Sequence, residues 1–171
     1  YAHRAALGLA AFTAIAPLAA QAESPSGFDC SAYEFSTALP SVEGSEGVFF
    51  RTFADLRLQH PMDQRTIVLL GRLTEVLAEN GTTLVYVTIP AKSQAMADYL
   101  PERANDYGFD AEMAEMIYTD IIARMSSVGI IAPDVMTALQ NVEGDERAFF
   151  GADFHWTSGG ARAAAQAIAA A

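Results

Sequence analysis

Thr83 to Ile89 constrains the fold more than any other stretch of this chain. A short, β-branched and nearly all-apolar run, stopped by Pro90, is the pattern of a strand covered on both faces in a parallel sheet. A helix-length segment precedes it: Ile67, Leu70, Leu73, Val76 and Leu77 recur at helical spacing between Asp63 and Asn80, and Asn80-Gly81 ends the run. A second follows over Ala111 to Val128, where Met113, Met116, Ile117, Ile121 and Met125 are predicted to face inward and Gly129 marks the stop. Ile130-Ile131 then reads as a short core strand, Pro133 to Leu139 as a helical turn or short helix, and Thr157 or Ser158 as the cap of a final alanine-rich helix. Upstream, Gly44-Ser45-Glu46-Gly47 reads as a turn and Val48 to Phe53 as a strand. Strand, helix, strand, helix with short links predicts an α/β fold with a mainly parallel sheet sandwiched by helices. Sites in such sheets form outside the carboxyl ends of the strands, which is where the loops after Ile89 and Ile131 leave. No internal repeat and no second domain is visible.

The chemistry-bearing stretch is Phe149-Phe150-Gly151-Ala152-Asp153-Phe154-His155-Trp156-Thr157-Ser158-Gly159-Gly160-Ala161. In an extended segment, residues i and i+2 project to one side, so Asp153 can hold the Nδ1–H of His155 and leave Nε2 free to take a proton from a nucleophile. That is two thirds of a catalytic triad. The bland alternative is an Asp that caps a turn and a His in a polar niche beside Trp156. A nucleophile is harder to find: there is no Gly-Asp-Ser and no Gly-x-Ser-x-Gly elbow. Ser158 is the nearest hydroxyl, but at a helix start its side chain serves backbone N–H groups better than it serves His155. A metal site is not expected, because His3 lies near the chain start and His60, beside Pro61, has no spaced companion ligands. Nothing in the chain calls for a cofactor.

The Asp-x-His-Trp-Thr-x-x-Gly-Ala pattern of Asp153 to Ala161 resembles the alginate O-acetyltransferases of the X and J type, whose catalytic domain is similar to the SGNH hydrolases but carries its Asp-His pair before its serine. Two further stretches join it. Val42 to Phe50 looks like the family's early Gly-x-Asp-Gly-x-x-Phe turn and strand, with Glu46 where Asp is usual. Val85-Tyr86-Val87-Thr88-Ile89-Pro90-Ala91-Lys92, closed by Tyr99-Leu100-Pro101, looks like its strand followed by Pro-x-Lys and Tyr-Leu-Pro. The resemblance spans roughly residues 42 to 171 and implies an SGNH hydrolase-like, three-layer α/β/α sandwich, incomplete at its C-terminal end, with the serine beyond residue 171. It implies an O-acetyltransferase that acts on an exopolysaccharide, with a polysaccharide acceptor and a membrane-bound acyltransferase as the source of acetyl groups. His155 is then the general base and Asp153 its orienting partner. The same residues would serve a periplasmic carbohydrate acetylesterase, and the same fold without a working serine would make a polysaccharide-binding or assembly subunit.

Two other residues are candidates for substrate contact. Lys92, the lone lysine, follows a core strand at its carboxyl end, where it either meets an acidic substrate, lines the site, or stands solvated as most lysines do. Trp156 either stacks on a sugar ring or packs under the site. Tyr99 and Tyr107 carry no argument beyond position.

Composition bounds location and partners. Arg4 precedes the apolar run Ala5 to Ala20, which ends in Ala20-Gln21-Ala22: a secretory signal peptide over residues 1–22, with cleavage expected after Ala22, and too short and alanine-rich for a membrane span. This predicts a periplasmic protein with no direct membrane span after processing. Residues 23–41 read as a polar lead-in. The lack of an initiator Met and the final helix, read in mid-course, predict that the chain is a piece of a longer protein. The formal charge of −11 becomes −12 without Arg4 and argues against nucleic acid or an anionic membrane surface as a partner. An acidic polymer would need a locally basic groove, which the scattered arginines do not announce; this counts against an alginate-like uronate and leaves neutral polysaccharides open as acceptors. Cys30, the only cysteine, is either a disulfide staple for the new N-terminus, a free thiol, or a small buried residue.

Overall fold

A computed structural model describes residues 34–142 and 146–171. The expected signal peptide and Cys30 lie outside the described residues. The first ordered unit is a hairpin. Strand β1, Ser41–Glu43, pairs antiparallel with β2, Phe49–Arg51, in the register Ser41 to Arg51, Val42 to Phe50 and Glu43 to Phe49. Alternation puts Val42 and Phe50 on one face, and both are buried in the main core. The turn between them is a 3-10 segment, Ser45–Gly47, in which Glu46 and Gly47 adopt φ of 54° and 70°. A glutamate pays a steric penalty in that region, and Arg147 holds it there, donating from Nη2 to Glu46 Oε2 at 2.8 Å.

Helix α1, Gln64–Glu79, starts where Asp63 accepts the Arg65 N–H at 2.8 Å and stops at Asn80, followed by left-handed Gly81. It buries Ile67 and Gly71 against Ile121, Met125, Ile130 and Val128, while Leu73 and Val76 of the predicted stripe are exposed. Helix α2 is one turn, Lys92–Ala95, and α3 is long, Ala111–Ser127, capped by Asp110 on the Met113 N–H. The inward face of α3 differs from the predicted one. Ala114, Tyr118, Ile121 and Met125 are buried, whereas Met113 and Met116 are exposed. Both sets fit helical spacing; the smaller Ala114 allows close approach to α2, where Gln94 Nε2 donates to Ala114 O, and Tyr118 has polar partners in reach. Its hydroxyl donates to Thr88 O at 3.2 Å and accepts from Met136 N at 3.1 Å.

Helix α4, Val135–Gln140, is capped by Asp134, and α5, Ser158–Ala170, by Thr157, whose Oγ1 accepts the Gly160 N–H at 3.1 Å. α5 lies so close to the preceding segment that a Cβ on Gly160 would stand 2.1 Å from Ala148 O.

The parallel strand pair is much reduced from the expectation. Thr83 to Ile89 makes one parallel bridge, Val85 to Ile131, with Tyr86 N donating to Ile131 O at 2.8 Å. It is not covered on both faces among the described residues, for Val85 and Ile89 are 40% and 54% exposed. The physical reason is that only Ile130-Ile131 lies alongside it there, so one edge and part of one face have no neighbour. Likewise the predicted Val48 to Phe53 strand is shorter, because Thr52 to Leu56 turns back on Arg51 O.

Candidate active site

The segment around Asp153 is a hairpin-like turn rather than the extended strand that the i, i+2 argument assumed. Phe149 and Trp156 form an antiparallel bridge, Phe150 N donates to His155 O at 3.2 Å, and Thr157 N donates to Ala148 O at 3.0 Å. At its tip the Asp153 carboxylate bends back onto its own chain, and Oδ1 accepts both the backbone N–H of His155 at 3.0 Å and Nδ1 of the ring at 2.7 Å. The pairing is therefore as predicted, by a different local geometry. Those two bonds, the backbone one first, hold the Asp153 carboxyl below its ordinary pKa. A carboxylate only accepts, so Nδ1 carries the proton and Nε2 is the basic nitrogen. Nε2 has no partner among the described residues, and Ser158 makes no hydrogen bond to His155; its role is to begin α5. Both side chains are open to solvent, 50% for Asp153 and 66% for His155.

His155 borders a cavity of about 550 Å³ shared with Arg51, Asp55, Lys92, Phe154 and Trp156. Three of these went unremarked in the sequence. Asp55 is buried and takes a fork from Arg51, Nε to Oδ2 at 3.0 Å and Nη2 to Oδ1 at 2.8 Å, with the Arg51 N–H adding 2.8 Å to Oδ2. That carboxylate raises the Arg51 pKa further. The guanidinium in turn sits 4.3 Å from the centre of the Phe154 ring, and the Phe154 and His155 rings lie 4.1 Å apart, tilted by 33°. Opposite charges four residues apart, Arg51 and Asp55, were the available signal; Phe154 had none beyond its place between Asp153 and His155.

Lys92 is not the solvated lysine that its residue type favours. It is 2% exposed, and its Nζ donates to the carbonyls of Phe150 at 2.7 Å, Gly151 at 2.7 Å and Asp153 at 3.0 Å. Burial lowers its pKa to about 8, against the pull of Asp55 and Asp153, so at neutral pH it is an ammonium. Trp156 is half-buried, edge-on to Phe149 with centroids 6.3 Å apart, and packs on the main core while also lining the cavity. With Asp153 included, the formal charges of Arg51, Lys92, Asp55 and Asp153 cancel. The site is no basic groove.

The family model for the SGNH hydrolase-like domain of acetyltransferase AlgX matches residues 41–171. The chain belongs to this family. Curated relatives include the probable alginate O-acetylase AlgJ of Pseudomonas putida, 29% identical over 62% of this chain and 26% of the relative. The alginate biosynthesis protein AlgX of Pseudomonas aeruginosa is 32% identical over 75% of this chain and 27% of the relative. Among solved structures, Pseudomonas aeruginosa AlgX superposes with a TM-score of 0.65 at 31% identity, covering 77% of this chain and 31% of that one. The O-acetyltransferase domain of Pseudomonas putida AlgJ gives 0.58 at 26% identity, covering 76% and 46%. Family and neighbours make the fold α/β. The chain spans about a quarter of the length of the curated relatives it matches. No helix among the described residues is long and apolar enough to cross a membrane.

Proposed function

We propose that this chain is the Asp-His-bearing part of an exported O-acetyltransferase that places acetyl groups on hydroxyls of an alginate-like exopolysaccharide, through a Ser-His-Asp triad whose serine is supplied from outside these 171 residues. The observation that carries the reading is the 2.7 Å contact between His155 Nδ1 and Asp153 Oδ1 at the mouth of a cavity, with Nε2 unengaged. In this scheme the serine proton passes to Nε2 as the serine oxygen attacks the acetyl carbonyl of the donor, and Asp153 stabilises the imidazolium. As the tetrahedral intermediate collapses, the bond to the leaving group breaks and Nε2 returns the proton to it. The second half repeats the exchange: a sugar hydroxyl gives its proton to Nε2, attacks the acetyl-serine, and the serine leaves reprotonated. N–H donors would hold the oxyanion in both halves. The domain completes as a three-layer α/β/α sandwich in the longer protein, working in the periplasm after removal of residues 1–22, with a membrane-bound acyltransferase supplying acetyl groups. The names of the relatives, alginate O-acetylase and alginate biosynthesis protein, support transfer over hydrolysis.

The test supplies the full-length protein with an activated acetyl ester and de-acetylated alginate, and follows both polymer-bound acetyl and free acetate. Acetyl on the polymer, abolished by His155→Ala, is the expected result. Free acetate alone would make the protein an acetylesterase, and polymer binding without either product would make it a binding or assembly subunit.

A further inference from the structure

Lys92 has no evident part in acyl transfer, yet all of its hydrogen-bonding capacity goes to the turn that carries Asp153 and His155. An ammonium has three donors, and the three acceptors are the carbonyls of Phe150, Gly151 and Asp153, 58 to 61 residues away. Taking an ammonium out of water is expensive unless its protons are matched, and here they are. Asp55 does not hold it, being engaged by Arg51. The turn needs such a brace, because its own backbone bonds are long, 3.4 Å from Asp153 N to Phe150 O and 3.2 Å from Phe150 N to His155 O. Shorter supports come from Phe49 N to Gly151 O at 2.8 Å and, at the base of the turn, Thr157 N to Ala148 O at 3.0 Å. Lys92 is itself fixed on both sides: Gln94 Oε1 accepts the Ala91 N–H at 2.9 Å, and Ser93 Oγ donates to Asp55 O.

We propose that Lys92 is a positioning residue for acyl transfer, its ammonium fixing the Phe150–Asp153 turn so that Asp153 stays on Nδ1 and Nε2 points into the cavity. The inference rests on the catalytic reading of Asp153 and His155. It is tested in the full-length protein with Lys92→Met, which keeps an unbranched apolar stem one atom shorter and removes the donors, and Lys92→Arg, which keeps charge. Turnover of an activated acetyl ester, the low-field NMR resonance of the His155 Nδ1 proton and the thermal midpoint are measured together. Ile67→Ala, a remote core change, serves as the comparison. Lys92→Met should lower kcat by roughly a hundredfold with KM within about twofold, and broaden or abolish the low-field resonance. Lys92→Arg should recover part of both, and Ile67→Ala should lower the midpoint while sparing both.

Folded Lys92→Met with unchanged kcat and resonance would overturn the proposal. So would equal losses in Ile67→Ala. Should Lys92→Met fail to fold, the wild-type protein carries the test. As the Lys92 15Nζ signal titrates, in the field of Asp55, Asp153, Arg51 and Arg147, kcat and the Nδ1 resonance must change with it; titration that leaves both unmoved refutes the clamp. Turnover surviving His155→Ala would instead sink the catalytic reading, and the resonance alone would then judge whether Lys92 orders the turn.

Discussion

At the scale of residues, the site is a balance between groups that must stay charged and the burial that opposes it. Lys92 is the clearest case. Its pKa of about 8 is lowered from 10.5, so between those values the unfolded chain binds more protons than the folded one, and the contribution of Lys92 to stability grows as pH rises through that window. Activity should move the other way. Deprotonation removes one of three donors from the turn, so kcat should fall as pH rises through about 8 with no loss of thermal stability from this group, and the limb should be missing in Lys92→Arg. A pH profile of kcat alongside thermal midpoints checks both signs. Asp153→Asn should lower turnover by a factor comparable to His155→Ala or somewhat smaller, because the amide no longer fixes the tautomer. The Asp153–His155 pair was legible because both partners lie within three residues. Burial of Lys92 was not, because its acceptors come from a turn nearly sixty residues on, and a lysine buried by backbone carbonyls leaves no sequence pattern.

Elements with local punctuation were read well. Asp63 with Asn80-Gly81 framed α1, Gly129 ended the run of α3, and Thr157 capped α5, all through hydrogen bonds or dihedrals set within a few residues. Facing and strand pairing are settled by distant partners and were read less well. Met113 and Met116 share helical spacing with the true inward face, and only the hydroxyl contacts of Tyr118 and the tight α2 contact at Ala114 separate the two. Thr83 to Ile89 has the composition of a fully covered strand but one bridge among the described residues. Two substitutions test the packing. Tyr118→Phe removes the partner of Thr88 O and Met136 N and should destabilise by about 1–2 kcal/mol in chemical denaturation. Gly160→Ala places a methyl against Ala148 O and should cost more than about 2 kcal/mol, displacing α5 and with it the turn it anchors.

For the whole molecule, the family model covers residues 41–171, and in the function proposed above the cavity is bordered by a base, its orienting carboxylate and a brace. A base without its nucleophile cannot form an acyl-enzyme, so the 171-residue chain alone should show no acetylesterase or transferase activity above the buffer rate, as followed by release of acetate or chromophore from an activated ester. The most direct test of the account is turnover of such an ester by the full-length protein carrying His155→Ala, with its thermal midpoint measured in parallel. The pair sits on an exposed turn, so the variant should fold as the parent does and lose at least about a thousandfold in kcat. Near-normal turnover by a folded His155→Ala protein would contradict the account.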